Sequence, residues 1–180
     1  MIRTTAKNAH LSRTLKPEYP NATPWATTLS PGWNRATDIL PGRVMTRLAD
    51  ETVAPLGATF GSVTDVSKQE PFGLAALFVA PTIAVDELRD RHEFATWVGF
   101  KDAVFRVYAP AFATDGNWTV PTDGSRKLLY TTDAAHKQGS GYLTTTKGTG
   151  PHAIPVATLI SVDAAGRFIR ISLDDSVKAA

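Results

Sequence analysis

Residues 156–173 read VATLISVDAAGRFIRISL, and this stretch decides the fold class. Two strand-like runs flank Asp163-Ala164-Ala165-Gly166, a short loop that ends in glycine. Such a loop predicts a β-hairpin in which Gly166 takes a left-handed conformation. Residues of the second run alternate between the two faces of a strand, with Ile169, Ile171 and Leu173 on one face and Arg170 and Ser172 on the other. We therefore expect a mainly β protein.

Short runs of strand length recur upstream of this hairpin, and 13 Gly and 12 Pro punctuate the chain. We predict strands at 43–48, 52–56, 72–80, 94–100, 103–109, 127–132 and 141–146. Residues 57–71 have a loop-like composition, in which 59–63 could form a further strand. The run 72–80 is continuously apolar, which favours a buried strand but also fits a short helix. Residues 82–92 favour a short surface helix. Seven or more short strands with one short helix indicate a small barrel-like or sandwich-like body.

Residues 1–36 do not have the pattern of a folded element, because four prolines interrupt them and their apolar residues stand singly. Two tryptophans and a tyrosine are nevertheless typical of an interface, since a large ring buries much area while freezing few torsions. We interpret the segment as an extended arm that becomes ordered against another surface, or alternatively against its own domain. The candidate interface residues are Leu11, Leu15, Tyr19, Trp25, Leu29 and Trp33.

The chain of 180 residues is long enough for one domain plus an arm. We predict an arm at 1–36, a β-rich body at 37–174 and a polar tail at 175–180. Residues 1–35 contain five basic residues and one acid, a charge of +4 in a chain whose net charge is only +2. This basic arm could contact DNA or an acidic protein surface, or be a solvated tail. The net charge of the chain is too small to indicate a nucleic-acid partner, and we predict none.

Several classes of protein are excluded by composition. The chain has no cysteine, so it has neither disulfides nor thiolate metal sites. Residues 1–16 lack the apolar region of a signal peptide. No window reaches eighteen apolar residues, so we expect no transmembrane helix and no membrane partner.

Each candidate catalytic, cofactor-binding or metal-binding motif in the sequence has a simpler structural explanation. We expect the four histidines to be surface residues, because none has metal-ligand spacing: His10, His92, His136 and His152. Asp115-Gly116 and Asp123-Gly124 could hold Ca²⁺ weakly, but Asp-Gly is a common turn pair. The acids among residues 86–93 alternate with arginines, which favours a salt-bridged helix face over a glycosidase pair. We therefore predict that the protein is not an enzyme and needs no cofactor.

A Pro-rich arm is followed by the strand-opening turn Leu40-Pro41-Gly42-Arg43-Val44-Met45, by short strands and by a closing hairpin. This order of features resembles the small head-decoration proteins of tailed bacteriophages, of which the lambda decoration protein is the best-known type. The stretches PFGLAALFVAP (71–81), AVFRVYAPAF (103–112), DGSRKLLYTT (123–132) and ATLISVDAAGRFIRISL (157–173) are also similar to structural proteins of actinobacterial phages. The resemblance covers residues 38–173, with the helix near 84–92 as an insertion.

The resemblance implies a β-tulip-like body that forms a homotrimer on the outer capsid surface and cements the shell. The partner would be the major capsid protein, to which the arm would add a strand. Such a protein is assembled in the host cytoplasm and resides in the virion. Two alternatives remain open at this stage: another virion component, such as a tail tube or fibre-associated protein, and a β-fold carbohydrate-binding module.

Overall fold

The computed structural model describes residues 14–18, 22–30, 39–60, 63–76, 94–99, 103–109, 111–113, 116–131 and 141–173. Within these ranges the chain forms eleven strands: β1 (Leu15–Pro17), β2 (Ala22–Thr27), β3 (Val44–Arg47), β4 (Val53–Pro55), β5 (Pro71–Ala75), β6 (Phe94–Gly99), β7 (Ala103–Tyr108), β8 (Lys127–Thr131), β9 (Leu143–Thr144), β10 (Ala157–Val162) and β11 (Phe168–Leu173). Two short 3₁₀ helices span Val66–Lys68 and Gly150–Ala153. The prediction of a mainly β fold is confirmed.

The C-terminal hairpin forms as predicted. Strands β10 and β11 pair antiparallel around the turn at 163–166, where the Gly166 N–H donates to the Asp163 carbonyl at 2.7 Å. Gly166 has φ +66°, the left-handed conformation that its place in the loop required. Ile169 and Ile171 are fully buried, whereas Arg170 on the opposite face is not. The alternation of residue types therefore did set the register of this strand.

Two antiparallel sheets make up the described part of the chain. The first has the order β1-β7-β11-β10-β8-β9, and the second has the order β2-β6-β5-β3-β4. We call them sheet A and sheet B. The leader, our term for the described parts of residues 1–36, supplies one edge strand to each sheet, β1 to sheet A and β2 to sheet B.

Both sheets curl until a neighbouring stretch of chain reaches the far edge. After β2, Leu29 forms a parallel bridge with Val53 in β4, at the opposite edge of sheet B. After β7, Phe112 forms a parallel bridge with Leu143 in β9, at the far edge of sheet A. These non-local bridges give the barrel-like curvature that the number of strands had suggested.

Two apolar clusters fill the interior. The larger lies between the sheets and combines residues of both: Leu40, Val44, Leu56, Leu74, Ala103, Phe105, Val107, Ala111, Phe112, Leu129, Tyr142, Leu143, Ala157, Leu159, Ile169 and Ile171. The smaller belongs to sheet B: Leu29, Ile39, Met45, Val53, Ala58 and Ala75. Leu29 thus joins the core of the sheet that its bridge closes.

Three predicted elements differ from the structure or lie outside it. The strand expected at 59–63 is only a bridge between Phe60 and Val63. The strand expected at 141–146 shortens to β9, because Gly141 has φ +86° and the Thr144 hydroxyl accepts the Thr146 N–H in a turn. The apolar run 72–80 begins as β5, but residues 77–80 and the helix expected at 82–92 lie outside the described residues.

The close approach of the 141 loop to β3 generates a stability prediction. A Cβ at Gly141 would lie 2.5 Å from the Val44 carbonyl oxygen, whereas a Cβ at Gly124 would meet nothing within 4 Å. Both glycines have left-handed φ, +86° and +83°. Gly124→Ala should therefore cost only the conformational penalty of about 1–2 kcal/mol. Gly141→Ala should cost a further ~1–3 kcal/mol, because backbone must shift to relieve the overlap.

Urea unfolding of the two variants, followed by far-UV circular dichroism, checks this difference. Equal unfolding free energies for Gly141→Ala and Gly124→Ala would show that the 141 loop does not pack against β3 as described.

Candidate interaction surfaces

The structure places three of the six predicted interface residues. Leu15 lies in β1, Trp25 lies in β2, and Leu29 lies in the bridge to β4. Leu11, Tyr19 and Trp33 lie outside the described residues. The described parts of the leader pack on their own subunit, which is one of the two options that the sequence left open. The role of the leader as an interface stays a prediction.

Strand β1 is anchored to β7 of sheet A by backbone hydrogen bonds at both of its ends. The Thr14 carbonyl accepts the Tyr108 N–H at 2.7 Å, and the Glu18 N–H donates to the Val104 carbonyl at 2.9 Å. The buried Thr14 hydroxyl also donates to the Pro41 carbonyl at 2.7 Å. Leu15 packs against the larger core. The contacts of Leu15 therefore serve mainly to attach the leader to the body of its own subunit.

Leu29 is only 3% exposed, and its apolar area is already covered by the core of sheet B. The backbone beside it completes the closure of that sheet. The Ser30 N–H donates to the Val53 carbonyl at 2.9 Å, and the Val53 N–H donates to the Thr28 carbonyl at 2.9 Å.

Trp25 differs from these two residues because 43% of it is exposed. Its ring meets Phe72 of β5 edge to face, with centroids 6.1 Å apart. Beside the two rings lies an open concavity of about 250 Å³, whose rim includes the paired side chains of Arg47 and Glu51. The Arg47 guanidinium lies 5.8 Å from the centroid of Phe72. An exposed tryptophan beside an arginine has the residue types that dominate binding energy at protein interfaces.

The outer edges of β1 and β4 are not free for strand addition. Thr14 and Glu18 face β7 with their backbone groups, so the intervening Pro17 faces outward, where it has no N–H to offer. Proline at such a position is a known device against strand addition. In β4 the Val53 N–H and carbonyl face outward and bond to Thr28 and Ser30, so the leader itself covers that edge. At these two edges, contact with a partner would therefore be made by side chains.

Glu18, just after β1, joins the leader to two strands of sheet A. Its carboxylate accepts a hydrogen bond from Arg170 Nε at 2.6 Å and forms an ion pair with Arg106. Its side chain is only 12% exposed, and those of the arginines are about one-third exposed. Burial acts to raise the pKa of Glu18, but the hydrogen bonds from Arg170 and Arg106 outweigh it and hold the pKa below its ordinary value.

Sequence reasoning missed this cluster, because Glu18 stands 152 residues from Arg170. The available signal was weak: Glu18 is the one acid in a basic leader, and Arg106 and Arg170 sit on the polar faces of alternating strands. Neither observation pairs them without the topology that places β1, β7 and β11 side by side.

His152 corrects the expectation that the histidines lie on the surface. It is 5% exposed, and its Nδ1 lies 2.7 Å from the Thr131 hydroxyl. Its ring packs against Gly57, where a Cβ would overlap it. The other three histidines lie outside the described residues. The physical reason is that His152 lies in a short 3₁₀ helix that packs against β8. The residues near His152 in the sequence do not indicate this contact.

Metal chemistry finds no support in the part of the chain that the structure describes. No group of three or more His, Asp or Glu side chains there could hold a metal ion. The Asp123 carboxylate instead accepts the Ser125 N–H at 2.9 Å and the Ser125 hydroxyl at 2.6 Å, as the turn interpretation requires. Among the described helices, none has the length and apolar character needed to cross a bilayer.

Together these features define a class: a curled, two-sheet β protein whose described surface offers contact faces. Comparison with known families then assigns it. The model of the phage cement protein family matches residues 1–179, and the chain belongs to that family. Neither the curated proteins nor the solved structures gave a match to the chain.

The family assignment confirms the hypothesis of a capsid cement or decoration protein, a structural component of the virion capsid. It favours the head over a tail tube, a fibre or a carbohydrate-binding module. The likeness to the lambda-type protein and the actinobacterial origin stay predictions.

The Glu18 cluster generates a pH prediction. The lowered pKa of Glu18 means that its stabilising effect is present above the ordinary glutamate value of 4.5 and is lost as the pH falls through the folded-state pKa. Glu18→Gln should therefore cost about 1–2 kcal/mol at pH 7, between the values for exposed and buried ion pairs. The cost should shrink steadily below pH 4.5.

Urea unfolding of wild type and variant at pH 7, 5, 4 and 3 measures this difference. Glu51→Gln is the matched control, because Glu51 pairs with Arg47 where the two side chains are 70% and 48% exposed. It should cost about 0.5 kcal/mol or less. A Glu18→Gln cost that stays constant between pH 7 and pH 3 would contradict the role of the carboxylate.

Proposed function

We propose that this cement protein binds the outer surface of the phage head and stabilises the shell through contacts of both its leader and its β body with the major capsid protein. Membership of the cement family supplies the capsid-binding, structural role. The observation that carries the finer proposal is the exposure of Trp25, which sits on the leader rather than on the body. This leader is docked on its own subunit but still presents a tryptophan. It can therefore contact a second surface with little further loss of conformational entropy.

The surroundings of Trp25 support this role. The ring is held edge to face by Phe72, so few rotamers remain to be frozen on binding. The concavity beside it can accept a side chain of the partner, with Arg47 and Glu51 available on the rim for polar contacts. A rigid aromatic anchor next to a recess and a polar rim is the usual anatomy of an interface hot spot.

The proposed assembly on the shell is a homotrimer, as in the decoration proteins that the sequence resembles. Each weak contact of a subunit would then be repeated around a symmetric site, so that avidity replaces a large single interface. Pro17 at the outer edge of β1 and the leader over the edge of β4 support association through faces and side chains.

Binding to shells tests the role of Trp25. The assay is cosedimentation of purified protein with expanded heads of the parent phage that lack it. Trp25→Ala should weaken binding about 10- to 30-fold, since a hot-spot aromatic contributes roughly 2 kcal/mol. Ile160→Ala is the matched control, because within the described residues Ile160 is the other exposed large apolar side chain, 37% exposed on β10. It should bind as wild type does.

If both variants bind equally well, the leader is not the docking element. If wild type itself does not bind the shells, the proposed function is wrong.

Sedimentation velocity tests the oligomeric state. A trimer should sediment with three times the 19.3 kDa mass of the chain, either free at micromolar concentration or once displaced from shells. Protein that stays at one chain mass under both conditions would contradict the trimer.

A further inference from the structure

The outer face of sheet A carries a row of cations across three adjacent strands. Lys16 of β1 lies directly opposite Arg106 of β7, and Arg106 lies directly opposite Arg170 of β11. Residues directly opposite each other in antiparallel strands project from the same face, with Cβ atoms about 5 Å apart. The three side chains therefore form one continuous row, which we call the basic row.

Among the described residues, Glu18 is the carboxylate that pairs with this row. It binds Arg106 and Arg170, whereas Lys16 is exposed, so three cations stand against one carboxylate. Like charges directly opposite each other destabilise a sheet. Within the described residues, the row therefore holds more positive charge than Glu18 balances.

Two aromatic rings fix the position of this row. The Arg106 guanidinium lies 4.5 Å from the centroid of Phe168, and Tyr108 packs against Phe168 with centroids 5.3 Å apart. Arg106 Nη1 also lies 3.5 Å from the Tyr108 hydroxyl. This packing holds the guanidinium in place before any partner arrives, so less side-chain entropy is lost on binding.

We propose that the basic row binds a carboxylate-rich segment of the protein to which this chain is cemented. The inference rests on the proposed function and deepens it, because it names the chemistry of the partner surface. Arginine donors held by aromatic packing suit carboxylate pairs. Arg, Tyr and Phe are also enriched at protein interfaces. A protein is favoured over nucleic acid as the source of these anions because the chain belongs to the cement family.

Lys16 is the residue with which to test this, because it is exposed and takes no part in the Glu18 cluster that anchors the leader. Lys16→Glu should weaken binding to expanded heads at least 10-fold at low ionic strength, and Lys16→Gln should have an intermediate effect. Both differences should diminish as salt screens the charges. Lys147→Glu makes the same charge change at an exposed position in the loop after β9 and should bind as wild type does. Urea unfolding of each variant confirms that folding is unchanged.

Equal binding by Lys16→Glu and Lys147→Glu, with wild type bound, would overturn the inference and leave the proposed function intact. Failure of wild type to bind the heads would overturn both. A fragment of double-stranded DNA added as competitor distinguishes the other class of acidic partner. If that DNA binds the free protein and loses affinity in Lys16→Glu, the row recognises nucleic acid and the inference is wrong.

Discussion

The structure depends on the short stretch Leu40–Val44, where the two sheets meet. The Gly42 N–H donates to the Ala75 carbonyl, and the Ala75 N–H donates to the Arg43 carbonyl, each at 2.8 Å. The Val44 N–H then donates to the Gly141 carbonyl at 2.7 Å. Gly42 has φ +99°, and a Cβ there would lie 3.0 Å from Val107 of sheet A, so a larger residue is disfavoured both by conformation and by space. The Pro-Gly turn at Pro41-Gly42 is therefore the point at which the two sheets are held together, and we call it the joint.

The leader depends on this joint. Thr14 reaches it through the Pro41 carbonyl, and Leu15 lies 3.7 Å from where a Gly42 Cβ would be. From there the leader supplies edge strands to both sheets, and Leu29 completes the core of sheet B. The same segment thus closes the body and presents Trp25. This arrangement reduces the entropy that a free arm would lose on binding, because most of the ordering has already occurred within the subunit.

Sequence predicted the local elements well and the non-local ones poorly. Alternation along 167–173 and a glycine-ended loop were sufficient for the closing hairpin, because both signals lie within neighbouring residues. The bridge from Leu29 to Val53 and the ion cluster of Glu18 join residues far apart in the chain. Nothing near either residue specifies its partner. The burial of His152 was missed for the same reason, since its cover comes from Gly57 and Thr131. Of the two candidate interaction surfaces, the sequence pattern named Trp25, whose role stays a prediction, and it did not indicate the basic row.

Attachment of the leader and the charge of the outer face are physically coupled through Glu18. Its carboxylate secures β1 by binding two arginines that already face each other across β7 and β11. Removing the carboxylate would leave those cations opposed, so the leader is held where it lowers an electrostatic cost of the body. A partner that adds carboxylates beside Lys16 would lower that cost further. Since it would bind only the form with β1 in place, it would also stabilise the docked leader by mass action. Binding to the shell would then stabilise the folded cement protein as well as the shell.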